Sequence, residues 1–233
     1  MFVAVHYRYL VINLLRDIIN KGLNIWKSGG ICSMDKEEAK KCLREMYEDV
    51  RDEDFYSIDP TIKDSKLISE SALIYGEFPP EKFPLIMHHL NPQEGEVFFD
   101  LGSGIGKLLI YLGLTGDFSQ VCGIEAVKEY YDIACDKIKV YDKLDRAAVV
   151  SCIFDDFLRN DIWTKADIVF AFATCYTETM MTEIARLAVG LDEGARFVSI
   201  NMPLKATYLK LRLRERFDFG DTARAEVFIY ERV

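Results

Sequence analysis

From Leu73 onward, short apolar runs bounded by turn residues alternate with longer amphipathic stretches. Val97-Phe98-Phe99, after the Pro92–Gly95 turn, is continuous and apolar, as a strand buried on both faces requires. Similar runs at Val121–Ile124, Ala148–Ile153, Asp167–Ala173 and Ala195–Ile200 predict four more strands. Between them, Lys107–Leu114, Lys128–Leu144 and Glu178–Leu191 carry helical periodicity, with Tyr131, Ala134, Cys135 and Ile138 inward in the second. A proline-rich loop, Phe78–Pro84, leads into a further helix at Phe83–Leu90. Strands alternating with helices predict right-handed βαβ units and a mostly parallel sheet. The tail differs: Tyr208–Phe217 alternates apolar and basic residues, Gly220 and Asp221 make a turn, and Val227–Tyr230 is apolar again. That is a hairpin added at the sheet edge. The predicted fold is therefore α/β and Rossmann-like, a mostly parallel seven-stranded sheet with a C-terminal antiparallel hairpin.

Ahead of this region the pattern divides in two. Residues 1–33 form an apolar, amphipathic extension in which Leu10, Ile12, Leu14, Leu15, Ile18 and Ile19 share one helix face. Arg8, Arg16, Asp17 and Lys21 interrupt it, so no run approaches the roughly 20 apolar residues of a membrane span, and mid-segment charge fits a secretory signal poorly. Residues 34–72 are a helical lead-in: Asp35 and Glu38 have capping-box spacing, and Cys42, Leu43, Met46 and Tyr47 line one side of a charged helix from Lys36 to Val50. Residues 73–233 hold the main domain.

Half of the 233 residues are hydrophobic, enough for a filled core. The net charge of -9 repels nucleic acid at long range, excludes direct sequence-specific binding without a local basic patch, and suits a basic protein or small cationic partner. It is also ordinary for a soluble protein. The six cysteines form no CxxC pair and no His stands at ligand spacing, so no metal is expected. Free thiols in apolar runs fit a reducing intracellular compartment, nuclear or cytoplasmic.

The candidate chemistry lies at the ends of the strands. Asp100-Leu101-Gly102-Ser103-Gly104-Ile105-Gly106 follows a strand and opens a helix. Glycines at alternate positions allow a tight turn and close backbone approach to a ligand. The spacing is Gly-x-Gly-x-Gly, which is neither the dinucleotide fingerprint nor a phosphate-binding loop. Glu125 ends the second strand, 19 residues past Gly106, where an acid accepts both ribose hydroxyls. Asp156-Phe157 follows the third strand, the acid suited to an adenine amino group and the ring to its face. Alone, Glu125 reads as a helix N-terminal acid and Asp156 as a turn cap. Together with the loop they point to S-adenosyl-L-methionine on the layout of the class I methyltransferases.

With Tyr75-Gly76-Glu77 some 25 residues before the loop, and Leu191–Ser199 at the fifth-strand entry, the chain resembles the disruptor-of-telomeric-silencing (Dot-one) family of histone-lysine N-methyltransferases, which lack a SET domain. The resemblance covers about Leu73–Ser199. It implies a chromatin regulator that transfers methyl groups to histone lysine. It implies that Tyr75 and Glu77 line a loop over the cofactor, that Asp100, Gly102 and Gly104 meet its methionine part, that Glu125 holds the ribose, and that Asp156 and Phe157 hold the adenine, with Ser103 and Gly106 of the same loop also counted as cofactor-binding. Two departures stand out. Phe172 replaces the family's asparagine after the fourth strand, and Lys107 replaces a glutamine that touches the methionine carboxylate, with which a lysine would pair instead.

Methyl transfer to a lysine needs a neutral amine aligned in an apolar channel, which lowers the amine pKa without a dedicated base. Phe172, Tyr176 and Tyr75 are the candidate aromatic walls and Thr174 a polar contact, and core packing accounts for them equally well. Three readings stay open: a protein-lysine methyltransferase, a methyltransferase for a non-histone protein or small molecule, and a non-catalytic cofactor binder.

Overall fold

The computed structural model describes residues 33–51, 76–144, 146–218 and 224–233. The amphipathic face at 10–19, Cys32, the acidic turn at 52–60, Tyr75 and the Gly220-Asp221 turn lie outside the described residues.

Helix α1 (Lys36–Met46) starts at Asp35, whose side chain accepts the Glu37 backbone N–H. A 3-10 turn (Pro80–Lys82) leads into α2 (Phe83–Leu90). Then come β1 (Val97–Leu101), α3 (Lys107–Thr115), β2 (Gln120–Glu125), α4 (Lys128–Tyr141), β3 (Val149–Phe154), β4 (Ile168–Ala171), α5 (Glu178–Leu187), β5 (Arg196–Ile200), β6 (Leu209–Asp218) and β7 (Arg224–Arg232). They form one seven-stranded sheet in the order β3-β2-β1-β4-β5-β7-β6. The first five strands are parallel, and β7 inserts antiparallel between β5 and β6.

Because side chains alternate across a strand, the sheet buries two cores. Phe98, Val121, Val150, Phe170 and Val198 face α1 to α4 on one side. Phe99, Leu101, Ile124, Val169 and Phe197 face α5 and the fully buried Trp163 on the other. Helix α1 is continuous with the first core through Ala39, Leu43 and Tyr47. The Tyr47 hydroxyl donates to the Ile105 carbonyl at 2.9 Å, which ties α1 to the glycine loop.

One helix face differs from expectation. In α4 the buried residues are Tyr130, Ala134, Lys137 and Tyr141. Tyr131 turns to the sheet edge, 5.4 Å from Phe154. Lys137 is buried because Asp49 pairs with its ammonium and the Tyr47 ring covers it at 5.4 Å. The Tyr141 hydroxyl donates to the Ala148 carbonyl at 2.8 Å. Polar tips with partners thus override the apolar spacing that pointed to Tyr131 and Cys135.

Candidate functional site

The chain crosses from β1 to α3 through three left-handed glycines, Gly102 (φ 72°), Gly104 (φ 54°) and Gly106 (φ 82°). A side chain at Gly102 would meet the Tyr176 hydroxyl at 2.7 Å, so sterics and backbone geometry both demand glycine there. The Gly102 and Ser103 N–H groups donate to the Ile124 carbonyl at 2.9 and 3.1 Å, which holds the loop against the end of β2. Ser103 is buried, its hydroxyl 3.4 Å from the Cys152 thiol.

Three acids stand at the carboxyl ends of adjacent strands, where open α/β sheets place their ligands. Asp100, in β1, is 5 % exposed and lines a cleft beside Gly102, Ser103 and Gly104. Burial, and then the neighbouring Glu125 charge, push its carboxyl well above the usual range. Glu125, at the end of β2, is 7 % exposed. Its two oxygens accept the Gly104 and Val127 N–H groups, each at 2.8 Å, and each oxygen keeps a lone pair for a ligand hydroxyl. Burial raises the Glu125 pKa as well, against the lowering effect of those backbone donors. Asp156, just past β3, accepts the Leu158 N–H at 2.9 Å with one oxygen. Its other oxygen is buried with no hydrogen-bond partner, and the Arg159 Nε lies 3.5 Å away. A buried acceptor in that condition fits an incoming donor such as an exocyclic amine.

Phe157 is buried and stacks on Tyr176, with ring centroids 5.3 Å apart. The Tyr176 hydroxyl donates to the Leu101 carbonyl at 2.6 Å. Both rings therefore brace the second core beneath the loop, and Tyr176 is not among the residues lining the cleft. Thr174 is exposed and its hydroxyl accepts from the Asn201 amide at 3.0 Å. Phe172 does line the cleft, packed edge-to-face on Phe78 at 5.9 Å. Of the four residues expected at the reacting end, only Phe172 is placed in the cleft; Thr174 and Tyr176 point elsewhere and Tyr75 is outside the described residues.

The cleft holds about 30 Å³ and is closed by Gly76, Glu77, Phe78, Leu108, Phe170 and Phe172. Glu77 pairs with Lys107 at 2.8 Å. Sequence reasoning did not assign Phe78, Leu108 or Phe170 to the site, because each carries an ordinary core signature. It also missed a larger cavity of about 410 Å³ that adjoins the cleft at Glu77 and is lined by Leu43, Arg44, Tyr47, Glu77, Pro79, Pro80, Glu81 and Lys107. Among the described residues no group of side chains is arranged to hold a metal ion.

The sheet order, the glycine turn and the acids at three strand ends define a class I methyltransferase fold. Solved structures agree on the fold. The chain is similar to magnesium protoporphyrin IX methyltransferase (ChlM) from Synechocystis PCC 6803, with a TM-score of 0.54 and 14% identity, covering 87% of this chain and 100% of that one. It is similar to TrmN from Thermus thermophilus at a TM-score of 0.55 and 15% identity, covering 70% and 51%. It is also similar to an RNA methyltransferase from Salinibacter ruber at 0.52 and 18%, covering 67% and 93%.

Residues 61–228 match the family model described as Histone methylation protein DOT1, and the chain belongs to that family. Among curated proteins it is 27% identical over 141 residues to the H3 lysine-79 specific histone-lysine N-methyltransferase of Aspergillus fumigatus, covering 54% of this chain and 27% of that protein. It is 22% identical over 170 residues to the protein of that name from Debaryomyces hansenii, covering 69% and 14%. The one from Yarrowia lipolytica is 23% identical over 149 residues, covering 60% and 30%. The chain thus spans less than a third of each relative's length.

Proposed function

We propose that this chain is an S-adenosyl-L-methionine-dependent methyltransferase domain that acts on a lysine of a histone or another basic protein. The observation that carries the reading is the row of buried acceptors, Asp100, Glu125 and Asp156, at three neighbouring strand ends around a glycine turn. The buried Asp156 oxygen, which accepts no hydrogen bond and is paired only with Arg159 at 3.5 Å, fits the adenine amine, Glu125 fits the ribose hydroxyls, and Asp100 faces the cationic end of the cofactor. Residues 73–233 form the catalytic domain in this reading, with 34–72 as its lead-in and 1–33 as an extension.

When bound, the cofactor supplies an activated methyl group. This chain's part is to orient and to exclude water. The three acids and the loop fix the ligand across the strand ends. Phe78, Phe170, Phe172 and Leu108 make an apolar wall of the cleft. Such a wall favours a neutral amine over an ammonium, which is the proton state that attack requires. The family, the relatives named for histone lysine and the net charge of -9 support a basic protein substrate and a nuclear location. No helix among the described residues is long and apolar enough to cross a membrane.

A second reading, a cofactor binder without transferase activity, is favoured by one observation: Phe172 packs on Phe78 where a small polar residue would leave room. Transfer of labelled methyl to nucleosomes, core histones and a whole-cell protein extract separates the two. Label on a histone lysine supports the first reading, and label only on other proteins moves the substrate. If no label appears anywhere while cofactor binding is intact, the binder reading stands. In that case Phe172→Asn should raise transfer by about tenfold or more, the scale on which a narrow apolar site discriminates.

A further inference from the structure

Three phenylalanine rings meet at the cleft. Phe170, in β4, and Phe172, just past its end, are two positions apart and both turn toward the first core. Phe78 comes from the stretch ahead of the 3-10 turn and lies across both. Its ring centroid is 5.4 Å from that of Phe170 and 5.9 Å from that of Phe172, at 70° to each. The cleft that they share with the glycine loop holds about 30 Å³, room for roughly one water or one methyl group.

What such a wall accepts follows from its atoms. Ring faces attract a cation, but they offer no lone pair to an N–H. An amine with two or three N–H groups gives up their bonds to water on entry and gets none back from the rings. Each N-methyl group removes one N–H and adds apolar area, so a methylated amine loses less water and gains more contact. The polar groups beside the rings are already engaged. Glu77 pairs with Lys107 at 2.8 Å, the Ser103 hydroxyl lies 3.4 Å from the Cys152 thiol, and Asp100 faces the cofactor in the reading above.

We propose that Phe78, Phe170 and Phe172 form a cage for a lysine side chain that already carries methyl groups, so that mono- and dimethyllysine are the substrates of this site. The inference rests on the lysine reading above and names the substrate within it. For dimethyllysine the step balances without a protein base. The ammonium leaves its one proton in solvent and enters as a neutral tertiary amine. Its lone pair forms the new bond to the methyl carbon, the carbon–sulfur bond breaks with its pair left on sulfur, and the positive charge passes from sulfur to nitrogen. The trimethylammonium product has no N–H, and the three rings require none. Monomethyllysine follows the same course, and the dimethylammonium formed releases one proton to solvent before a further transfer.

Two measurements on the full-length chain test the cage. The first needs no protein substrate. With S-adenosylhomocysteine present, NMR titration should show butyltrimethylammonium bound about 5- to 30-fold more tightly than butylammonium, the scale of a desolvated cation on aromatic rings. Phe172→Leu should reduce that ratio to about twofold or less, and Phe172→Tyr, which keeps the ring, should preserve it. Calorimetry with S-adenosylhomocysteine confirms that each variant is folded. The second compares initial rates of labelled methyl transfer to recombinant core histones, unmodified or with their lysines dimethylated by formaldehyde and a borane reductant. The dimethylated histones should be labelled faster, and Phe172→Asn, whose amide accepts an N–H, should move the preference toward the unmodified ones.

Equal binding of the two ammonium probes, or a ratio that Phe172→Leu leaves intact, overturns the cage. Faster labelling of unmodified histones by the unaltered chain also overturns it and leaves the lysine reading standing. If Phe172→Leu instead abolishes a preference for S-adenosyl-L-methionine over S-adenosylhomocysteine, the rings serve the sulfonium and the assignment to lysine falls. Label on neither form, with S-adenosylhomocysteine still bound, removes the lysine reading and this inference together.

Discussion

At the level of single residues, the site sets two buried carboxyl groups side by side and raises the proton affinity of both. The sign for Asp100 follows from its direction. Above about pH 4 an unfolded aspartate has lost its proton, while the folded one keeps it until its raised pKa is passed. Through that window the folded state binds more protons, so the stability contribution of Asp100 falls as pH rises. Asp100→Asn removes the penalty. Its melting temperature at pH 7 should exceed that of the unaltered chain by at least about 2 °C, the shift that one kcal/mol gives in a domain of this size. The difference should shrink toward zero as the scan buffer approaches pH 4; a gain independent of pH would contradict the burial argument. Glu125 serves a different end, since its oxygens already tie Gly104 and Val127 to the end of β2. Glu125→Ala should weaken cofactor binding by about 1.5 to 3 kcal/mol, measured by calorimetry, and unchanged affinity would remove Glu125 from the ribose. The positions of these acids were legible in the sequence because each comes one to three residues after an apolar run. Thr174 and Tyr176 illustrate the limit. The sequence places them after β4, and only the fold shows one turned to Asn201 and the other folded beneath Gly102.

Among the elements, strand and helix order followed from periodicity, and the edges moved by a few residues. The fourth strand closes at Ala171 instead of Ala173 because Ala173–Cys175 winds into a 3-10 turn. The charged helix ends at Met46, which leaves Tyr47 free to reach the glycine loop. Such endings depend on partners distant in sequence, which local pattern does not carry. The same dependence makes Gly113 sensitive. It lies inside α3, where a helical pattern tolerates alanine, but an added Cβ would meet the Val150 Cγ2 at 2.5 Å and the Tyr141 ring at 2.9 Å. Gly113→Ala should destabilise the chain by about 1 to 3 kcal/mol despite its better helix propensity. Denaturant titration reads this directly, and a stabilised variant would mean that α3 and α4 separate more easily than their packing shows.

For the whole molecule, the family match leaves out one wall of the larger cavity, the one that α1 supplies. The DOT1 match begins at residue 61, yet the first core and the larger cavity both include α1. The charged helix was visible in the sequence, but its position against the glycine turn and α4 was not, since the pairs that fix it, Tyr47 with Ile105 and Asp49 with Lys137, are separated by 58 and 88 positions. The free space in the cleft, about 30 Å³, is room for roughly one water. A ligand of nucleoside size would have to displace part of this lining, and Gly76–Pro79 is one lining stretch that has no helix or strand bonds to break. Hydrogen exchange should slow in peptides spanning residues 76–90 when S-adenosylhomocysteine is added, and β5 to β7 should be unaffected. Equal protection across the sheet would indicate a global tightening instead of closure over the site.

The placement of β7 also bears on the order in which the chain assembles. It is synthesised after both strands it joins, yet it lies between them. On the ribosome, β5 emerges with Phe197, Val198 and Ile200 beside an unpaired edge, and β6 follows with nothing to pair against. At about 5 to 20 residues per second, the interval before Arg224–Arg232 arrives lasts on the order of seconds. During that time the nascent domain exposes an apolar strand edge to any chaperone or neighbouring chain, and only the arrival of β7 closes it.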